Sequence, residues 1–206
     1  MLTSILERGL SELNIDASGQ QSERWLAYVE LLNKWNKAYN LTAVRDPAEM
    51  VSRHVLDSLA VSKHVTSQDM LDVGAGPGIP CIPLAILWPD RTLTGLDSNG
   101  KKTRFMQQAQ VALKLENFSA VQSRIEQYQR APQFDGILSR AFAQLEDFVD
   151  GSQHLLAENG TFWAMKAQLD EAELSRVPKP FKVEACIPLA VPNCDAERHL
   201  IVMSRA

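Results

Sequence analysis

Two patterns of apolar positions divide this chain. Up to about residue 65 they recur at helical spacing: Leu2, Ile5, Leu6 and Leu10 share one face, and Trp25, Val29, Leu32 and Trp35 another. The segment "NKAYNLTAVRDP" (36–47) breaks this pattern. Asp46 followed by Pro47 then predicts a helix start, a capping carboxylate and a proline whose missing N–H costs nothing in the first turn. A third helix is expected through "AEMVSRHVLDSLAVSKHV" (48–65). From residue 69 short apolar runs alternate with longer amphipathic ones. "MLDVG", "TLTGLD", "FSAVQ", "FDGILS" and "GTFWAMK" read as strands. "IPCIPLAILW", "NGKKTRFMQQAQVALKL", "LEDFVDGSQHLLA" and Leu169–Ser175 read as helices. "FKVEACIPLAV" and "RHLIVMS" follow as two strands joined by the turn-like "PNCDAE".

Strands alternating with helices imply right-handed crossovers and a parallel sheet. The last two strands, with only a loop between them, should pair antiparallel. The expected organisation is an N-terminal helical extension (1–66) packed on an α/β domain (67–206). The length of 206 residues suffices for an independent core, since a chain of that size buries roughly 70% of its unfolded surface.

Composition narrows the class. Hydrophobic content of 45% and charged content of 22% are those of an ordinary soluble protein. A net charge of −4 argues against non-specific nucleic-acid binding as a way of life but allows a local basic patch. Cys81, Cys186 and Cys194 make an odd count with no short-loop framework, which suits free thiols in a reducing compartment. No Cys/His spacing fits zinc, so no metal is expected. The N-terminus lacks an h-region and no apolar run reaches a membrane span. A cytoplasmic protein, monomeric by default, is the expectation.

The stretch "MLDVGAGPGIP" carries the most specific chemistry. It joins a strand to a helix, the position at which open α/β sheets bind ligands. A Walker A loop needs Gly-Lys-Ser/Thr, and no lysine follows Gly78. The dinucleotide pattern G-x-G-x-x-G also fails, because the third glycine falls one residue early. What stands is D-x-G-x-G-x-G, with Asp72 two residues before Gly74. This resembles the loop of S-adenosylmethionine-dependent methyltransferases, whose ligand carries an amino-acid end, a sulfonium and a ribose. Missing Cβ atoms let the backbone lie against such a ligand. Asp97, closing "TLTGLD", stands where an acid would accept from ribose hydroxyls. The plain alternatives are a tight strand–helix turn and an acid that caps the next helix.

Beyond the loop, "WNKAYNLTAVRDP" with "RHVLDSL", then "LDSNGKKTRF", "QSRIEQY", "FDGILSRAF", "WAMKAQ" and "ERHLIV" occur in one order. In these segments nearly the whole chain resembles the bacterial small-subunit ribosomal RNA guanine-N7 methyltransferases, the glucose-inhibited division protein B family. The resemblance implies a Rossmann-like S-adenosylmethionine-dependent methyltransferase fold. It implies transfer to N7 of one guanine in 16S ribosomal RNA, guanine 527 of the 530 loop. It places the cofactor against Gly74, Ala75, Gly76, Gly78 and Ile79, with Asp97 and Ser98 at the ribose. Ile125 and Glu126 fall beside the adenine, and Arg140 at the cofactor and reaction site. Arg124, Lys166 and Arg198 are the candidate RNA contacts. Cys81 and Ala167 stand where the family often has glycine, and each adds a side chain near a close backbone approach.

The chemistry agrees with the absence of a candidate base. Guanine N7 has a lone pair and no proton, so orientation and exclusion of water can supply most of the acceleration. Ser139-Arg140-Ala141-Phe142 lacks the Asn/Asp-Pro-Pro-aromatic segment of amino-group methyltransferases. Pro80-Cys81 has the look of a cytosine-C5 nucleophile but reads as core. Phe142 is either a stacking platform for an unpaired base or a core aromatic. Lys101, Lys102 and Arg104 open a helix, where positive charge opposes the dipole, and so hint at an anion at the same sheet end. His54, Asp57 and Ser58 suggest a His–Asp pair tying the N-terminal helices to the sheet. The rival functions are a nicotinamide oxidoreductase, a non-catalytic ribosome-binding protein on a methyltransferase scaffold, and a methyltransferase of small molecules or proteins.

Overall fold

A computed structural model describes residues 1–142 and 144–206. Helix α1 (Leu2–Glu12) is followed by α2 (Gly19–Tyr39), which opens with a capping box between Ser18 and Gln21. Asp46 caps α3 (Pro47–Met50), its carboxylate accepting from the Ala48 N–H at 3.1 Å. The expected continuous helix then changes character. Val51–Leu56 form a π turn, and only Asp57–Leu59 return to α geometry as α4. The wider turn rotates every following side chain relative to a regular helix, and such turns concentrate at functional sites.

Strands β1 (Asp69–Val73), β2 (Thr92–Asp97), β3 (Phe118–Gln122), β4 (Phe134–Ser139), β5 (Leu156–Lys166), β6 (Phe181–Pro188) and β7 (His199–Arg205) form one sheet. Its order is β3-β2-β1-β4-β5-β7-β6. The first five are parallel, and β7 runs antiparallel to both β5 and β6. The chain moves one way from β1 to β2 and β3, then returns to β4 on the other side of β1. That reversal opens a crevice beyond the carboxyl ends of β1 and β4.

Helices α5 (Cys81–Leu87) and α6 (Gly100–Ala112) cover one face together with α1, α2 and the π turn. Helix α7 (Leu145–Ser152) covers the other, and the short α8 (Glu171–Ser175) starts two residues later than its sequence suggests. Asp170 fixes that start by accepting from the Ala172 N–H at 2.9 Å. On the α7 face a ladder of rings runs from Phe142 through Phe148 and Phe162 to Phe181, with centroids 5.1–5.3 Å apart. Among the described residues no helix is long and apolar enough to cross a membrane.

One face of α2 is built to hold the glycine loop. Gln21 Nε2 donates to the carbonyls of Ile86 and Leu87, closing the C-terminal end of α5. One turn on, Trp25 Nε1 donates to the Pro83 carbonyl at 3.0 Å. Tyr28 Oη reaches the Pro77 carbonyl, inside the loop, at 2.9 Å. Burial pushes the Tyr28 phenol well above its ordinary pKa, so it remains a donor. Tyr28→Phe leaves the Pro77 carbonyl buried without its donor, an expected loss of about 1–2 kcal/mol by urea denaturation.

Candidate active site

Beyond the carboxyl ends of β1 to β4 lies a cavity of about 390 Å³, within the range of small-ligand sites. Val73 and Gly74 supply its wall from β1, and Leu96, Asp97 and Ser98 from β2. Ser123, Arg124, Ile125 and Glu126 enter after β3, and Ala141 and Phe142 after β4. Five sequence-predicted residues, Gly74, Asp97, Ser98, Ile125 and Glu126, therefore share one cavity. Arg124, expected on the RNA side, lines it too.

The glycine loop divides its labour. Gly74 has φ +70°, and a Cβ built there would lie 2.8 Å from the Ala141 Cβ. This is the residue whose bareness keeps β1 and the chain after β4 close together at the cavity wall. Gly78, at φ +88°, would drive a Cβ to 2.3 Å from Ile82 Cδ1, so its bareness serves the packing of α5. Ala75 and Ile79 are buried, and neither they nor Gly76 and Gly78 line the cavity. Amides of Gly74 and Ala75 both donate to the Leu96 carbonyl, which ties the loop to β2.

Asp97 is the strut of this arrangement. Its Oδ2 accepts from the Gly76 N–H at 2.9 Å and its Oδ1 from the Asn99 N–H at 2.8 Å. Lys102 Nζ stands 3.8 Å from Oδ2. Two carboxylate oxygens offer about four lone-pair sites, so these contacts leave acceptor capacity for a hydroxyl in the cavity. The cap of α6 is Asn99 and not Asp97.

Cys81 is the core residue that its sequence reading expects. Its thiol does not approach the cavity but packs beneath β2, 3.1 Å from where a Gly95 Cβ would be. It is fully buried, and burial pushes its pKa well up, so it is a core residue and no nucleophile. Phe142 packs its ring against Phe148 and also lines the cavity.

The expected cluster of cations at one sheet end is split. Lys102 and Arg124 border the first cavity, whereas Arg140, Lys166 and Arg198 border a second one of about 190 Å³, together with Asp57 and Ala167. Lys101 and Arg104 line neither. The strand order brings Arg198 beside Lys166, since β7 pairs with β5 in the register Lys166↔His199. Arg140 follows β4, and its neighbour Ala141 belongs to the first cavity, so Arg140 stands where the two adjoin.

The expected His54–Asp57 pair does not form. Asp57 instead meets Arg198 Nε through Oδ1 at 2.8 Å and Arg140 Nη1 through Oδ2 at 2.9 Å. The π turn is the reason: it swings Asp57 toward the sheet and His54 back toward Thr42. His54 Nε2 lies 2.9 Å from Thr42 Oγ1, and Nδ1 lies 3.0 Å from the Arg53 carbonyl. That set suits a neutral ring that donates from Nδ1. Burial, helped by the Arg140 guanidinium, lowers its pKa from 6.5 to about 4. The folded state thus binds the proton less well than the unfolded chain, and His54 costs stability as pH falls from 6.5 toward 4. The full loss is on the order of 3 kcal/mol. His54→Gln is expected to lose less stability than the parent between pH 7 and 5 in urea melts.

Glu173 is the residue that sequence reasoning missed; Asp57, read as the partner of His54, pairs with two arginines instead. Glu173 Oε1 accepts from Lys166 Nζ at 2.8 Å and from the Leu145 N–H at 2.7 Å. One signal was available for Asp57. A carboxylate beside Val55, Leu56 and Leu59, all buried, demands a cationic partner.

Among known proteins, the rRNA small subunit methyltransferase G family model matches residues 21–201. The ribosomal RNA small subunit methyltransferase G of Shewanella sp. (strain W3-18-1) is 50% identical over 201 residues, 98% of each chain. That of Shewanella amazonensis is 49% identical over 206 residues, the full length of both. Solved structures share the fold at low identity. A glycopeptide N-methyltransferase complexed with S-adenosylhomocysteine gives a TM-score of 0.61 at 12% identity, covering 74% of this chain and 87% of that one. A precorrin-6y C5,15-methyltransferase from Geobacter metallireducens gives 0.56 at 17%, covering 82% and 92%. With nearly its whole length matched at half identity, the chain belongs to the rRNA small subunit methyltransferase G family.

Proposed function

We propose that the protein transfers the methyl group of S-adenosylmethionine to N7 of a single guanine, guanine 527 in the 530 loop of 16S ribosomal RNA. The observation that carries this reading is the cavity at the carboxyl ends of β1 to β4, where the bare Gly74 and the Asp97 carboxylate face one space. A Cβ at Gly74 would fill that wall, which supports a ligand lying against backbone. When bound, S-adenosylmethionine supplies an electrophilic methyl on a sulfonium.

In this reading Asp97 and Ser98 take the ribose, while Ile125 and Glu126 flank the adenine. Gly74 lies against the amino-acid end, and Ala75, Gly76, Gly78 and Ile79 hold the loop's shape. Phe142, exposed to the cavity on one side and seated on Phe148 on the other, is a rigid platform for the unstacked guanine. Bound there, S-adenosylmethionine would supply the methyl to the N7 lone pair, its carbon–sulfur bond breaking as the new bond forms. Positive charge passes from sulfur to the purine with no proton to move. The chain's own contribution is orientation and exclusion of water. Lys166 is matched by Glu173, while Arg140 and Arg198 share the single carboxylate of Asp57. Residues 1–66 act in this reading as a helical extension that stiffens the cofactor loop of the 67–206 domain, and the protein works in the cytoplasm as a monomer.

The test is incubation with labelled S-adenosylmethionine and small subunits from a strain lacking this gene, with borohydride and aniline cleavage at N7-methylguanine. One cleavage in the 530 loop is expected. Label elsewhere in the RNA overturns the target, and cofactor binding with no label on subunits or free RNA overturns the substrate class.

A further inference from the structure

Where β4 parts from β1, one hydroxyl stands behind the wall of the first cavity. The two strands pair as far as Asp72↔Leu138, while β4 stays paired with β5 through Ser139↔Ala164. The crevice therefore opens on the β1 side of β4, at Ser139. By strand alternation the Ser139 side chain shares a face with Ile137. Val73 and Ala164, on either side of it, belong with Ile137 to one apolar cluster. A hydroxyl in such a place is costly unless it is bonded. Ser139 is 2% exposed, and its Oγ is engaged twice. It donates to the Val73 carbonyl at 2.8 Å and accepts from the Ala141 N–H at 3.1 Å. The first bond reaches across to β1 just where the backbone ladder has ended. The second closes a short turn that carries the chain out of β4.

Val73 and Ala141 both line the first cavity, and Ser139 does not. One hydroxyl thus clamps two wall segments that come from different strands. The gap it sets is narrow, since a Gly74 Cβ would lie 2.8 Å from the Ala141 Cβ. Phe142 follows Ala141 directly, with its ring seated on Phe148. Alanine at 139 would fill the same apolar slot and drop the clamp. We propose that Ser139 is a positioning residue for methyl transfer. It lies outside the cavity, and its hydroxyl fixes how far the Gly74 wall stands from the Ala141–Phe142 wall. The inference rests on the methyl-transfer reading of this cavity and adds to it what sets the distance between donor and acceptor. In a displacement that needs no general base, that distance is most of what the chain supplies.

A hydroxyl that only stabilises the fold and one that positions the site predict different kinetics for Ser139→Ala. Either role lowers Tm, by about 3–10 °C. Only positioning also slows the folded enzyme. Assayed on small subunits well below Tm, kcat is expected to fall about tenfold to hundredfold. S-adenosylmethionine affinity by calorimetry should stay within about threefold, because Asp97 and the Gly74 backbone remain. Thr94→Val is the stability control. The Thr94 hydroxyl meets Ser119 Oγ at 3.2 Å between β2 and β3. Its loss should lower Tm and leave kcat within about twofold of the parent's. A parent-like kcat in Ser139→Ala overturns the proposal, as does an equal fall in both variants. So does a cofactor affinity that falls in step with kcat, which would make the clamp a part of cofactor binding. If Ser139→Ala does not fold, Ser139→Cys puts a weak donor of similar size in its place. The same fall in kcat at retained affinity is then expected, and a parent-like kcat sinks the assignment. A parent that methylates no subunit overturns the methyl-transfer reading and the inference with it. A parent that does, beside an equally fast Ser139→Ala, overturns the inference alone.

Discussion

Gly74→Asp is expected to abolish methyl transfer while leaving a folded protein. The position sits at the end of β1 with φ +70°, and the new Cβ would meet Ala141 Cβ at 2.8 Å. An l-residue in that region costs about 1–3 kcal/mol, which for a chain of this length lowers Tm by roughly 3–10 °C. The functional loss is larger. The wall that Gly74 forms is shared with Asp97, and a second carboxylate pointed into that space brings like charges together and occupies volume. S-adenosylmethionine binding is expected to weaken by at least about hundredfold, close to 3 kcal/mol. Gly76→Ala separates the two causes, since its φ is +60° but nothing lies within 4 Å of a Cβ there. It should show the conformational cost with only a modest change in affinity. Calorimetric titration and a thermal melt on both variants check the pair. A folded Gly74→Asp that still methylates subunits would remove the cofactor from this cavity.

That prediction could be framed from the sequence because three glycines in five residues between an apolar run and a helix leave few conformations. All three have positive φ. The alternation of strands and helices was legible for a similar reason. Buried parallel strands such as "TLTGLD" and "FDGILS" read as short runs between turn residues. What pairs with what across the sheet was not legible. Nothing in "RHLIVMS" says that it inserts between β5 and β6, yet that insertion puts Arg198 beside Lys166. Local spacing misled at His54 and Asp57, because i, i+3 reasoning assumes α geometry and the π turn breaks it. Asp57 finds its partners through tertiary approach, from strands far along the chain, and only the demand for some cation was written into the helix. Cys81 does stand at a close backbone approach. The residue faces Gly95 under β2, so the close approach there is between helix and sheet.

Asp72→Asn is expected to stabilise the ligand-free protein above pH 7 and to remove most of the dependence of its stability on pH between 6.5 and 8. Asp72 begins the glycine motif but is fully buried, and its side chain accepts from the Cys81 N–H at 3.2 Å, with the Cys81 thiol beside it. Burial, reinforced by nearby Asp97, pushes its pKa from 3.8 to about 8. The folded state therefore holds a proton that the unfolded chain has released. By linkage, stability associated with Asp72 is complete below pH 3.8 and is lost as pH rises through 8. The cost once both states are ionised is on the order of 5 kcal/mol. His54 acts in the opposite sense and only below 6.5, so between pH 4 and 6.5 the two slopes offset each other. Asp72 acts alone between 6.5 and 8, where the parent's unfolding free energy should fall by up to about 1.4 kcal/mol per pH unit. Asparagine keeps an acceptor for the Cys81 N–H but adds a buried amide donor, a penalty of about 1–3 kcal/mol. The net gain at pH 8.5 is a few kcal/mol, read as a higher urea midpoint with an unchanged m-value. Parallel slopes for the two proteins from pH 6.5 to 8 would show that Asp72 is ionised in the folded state throughout.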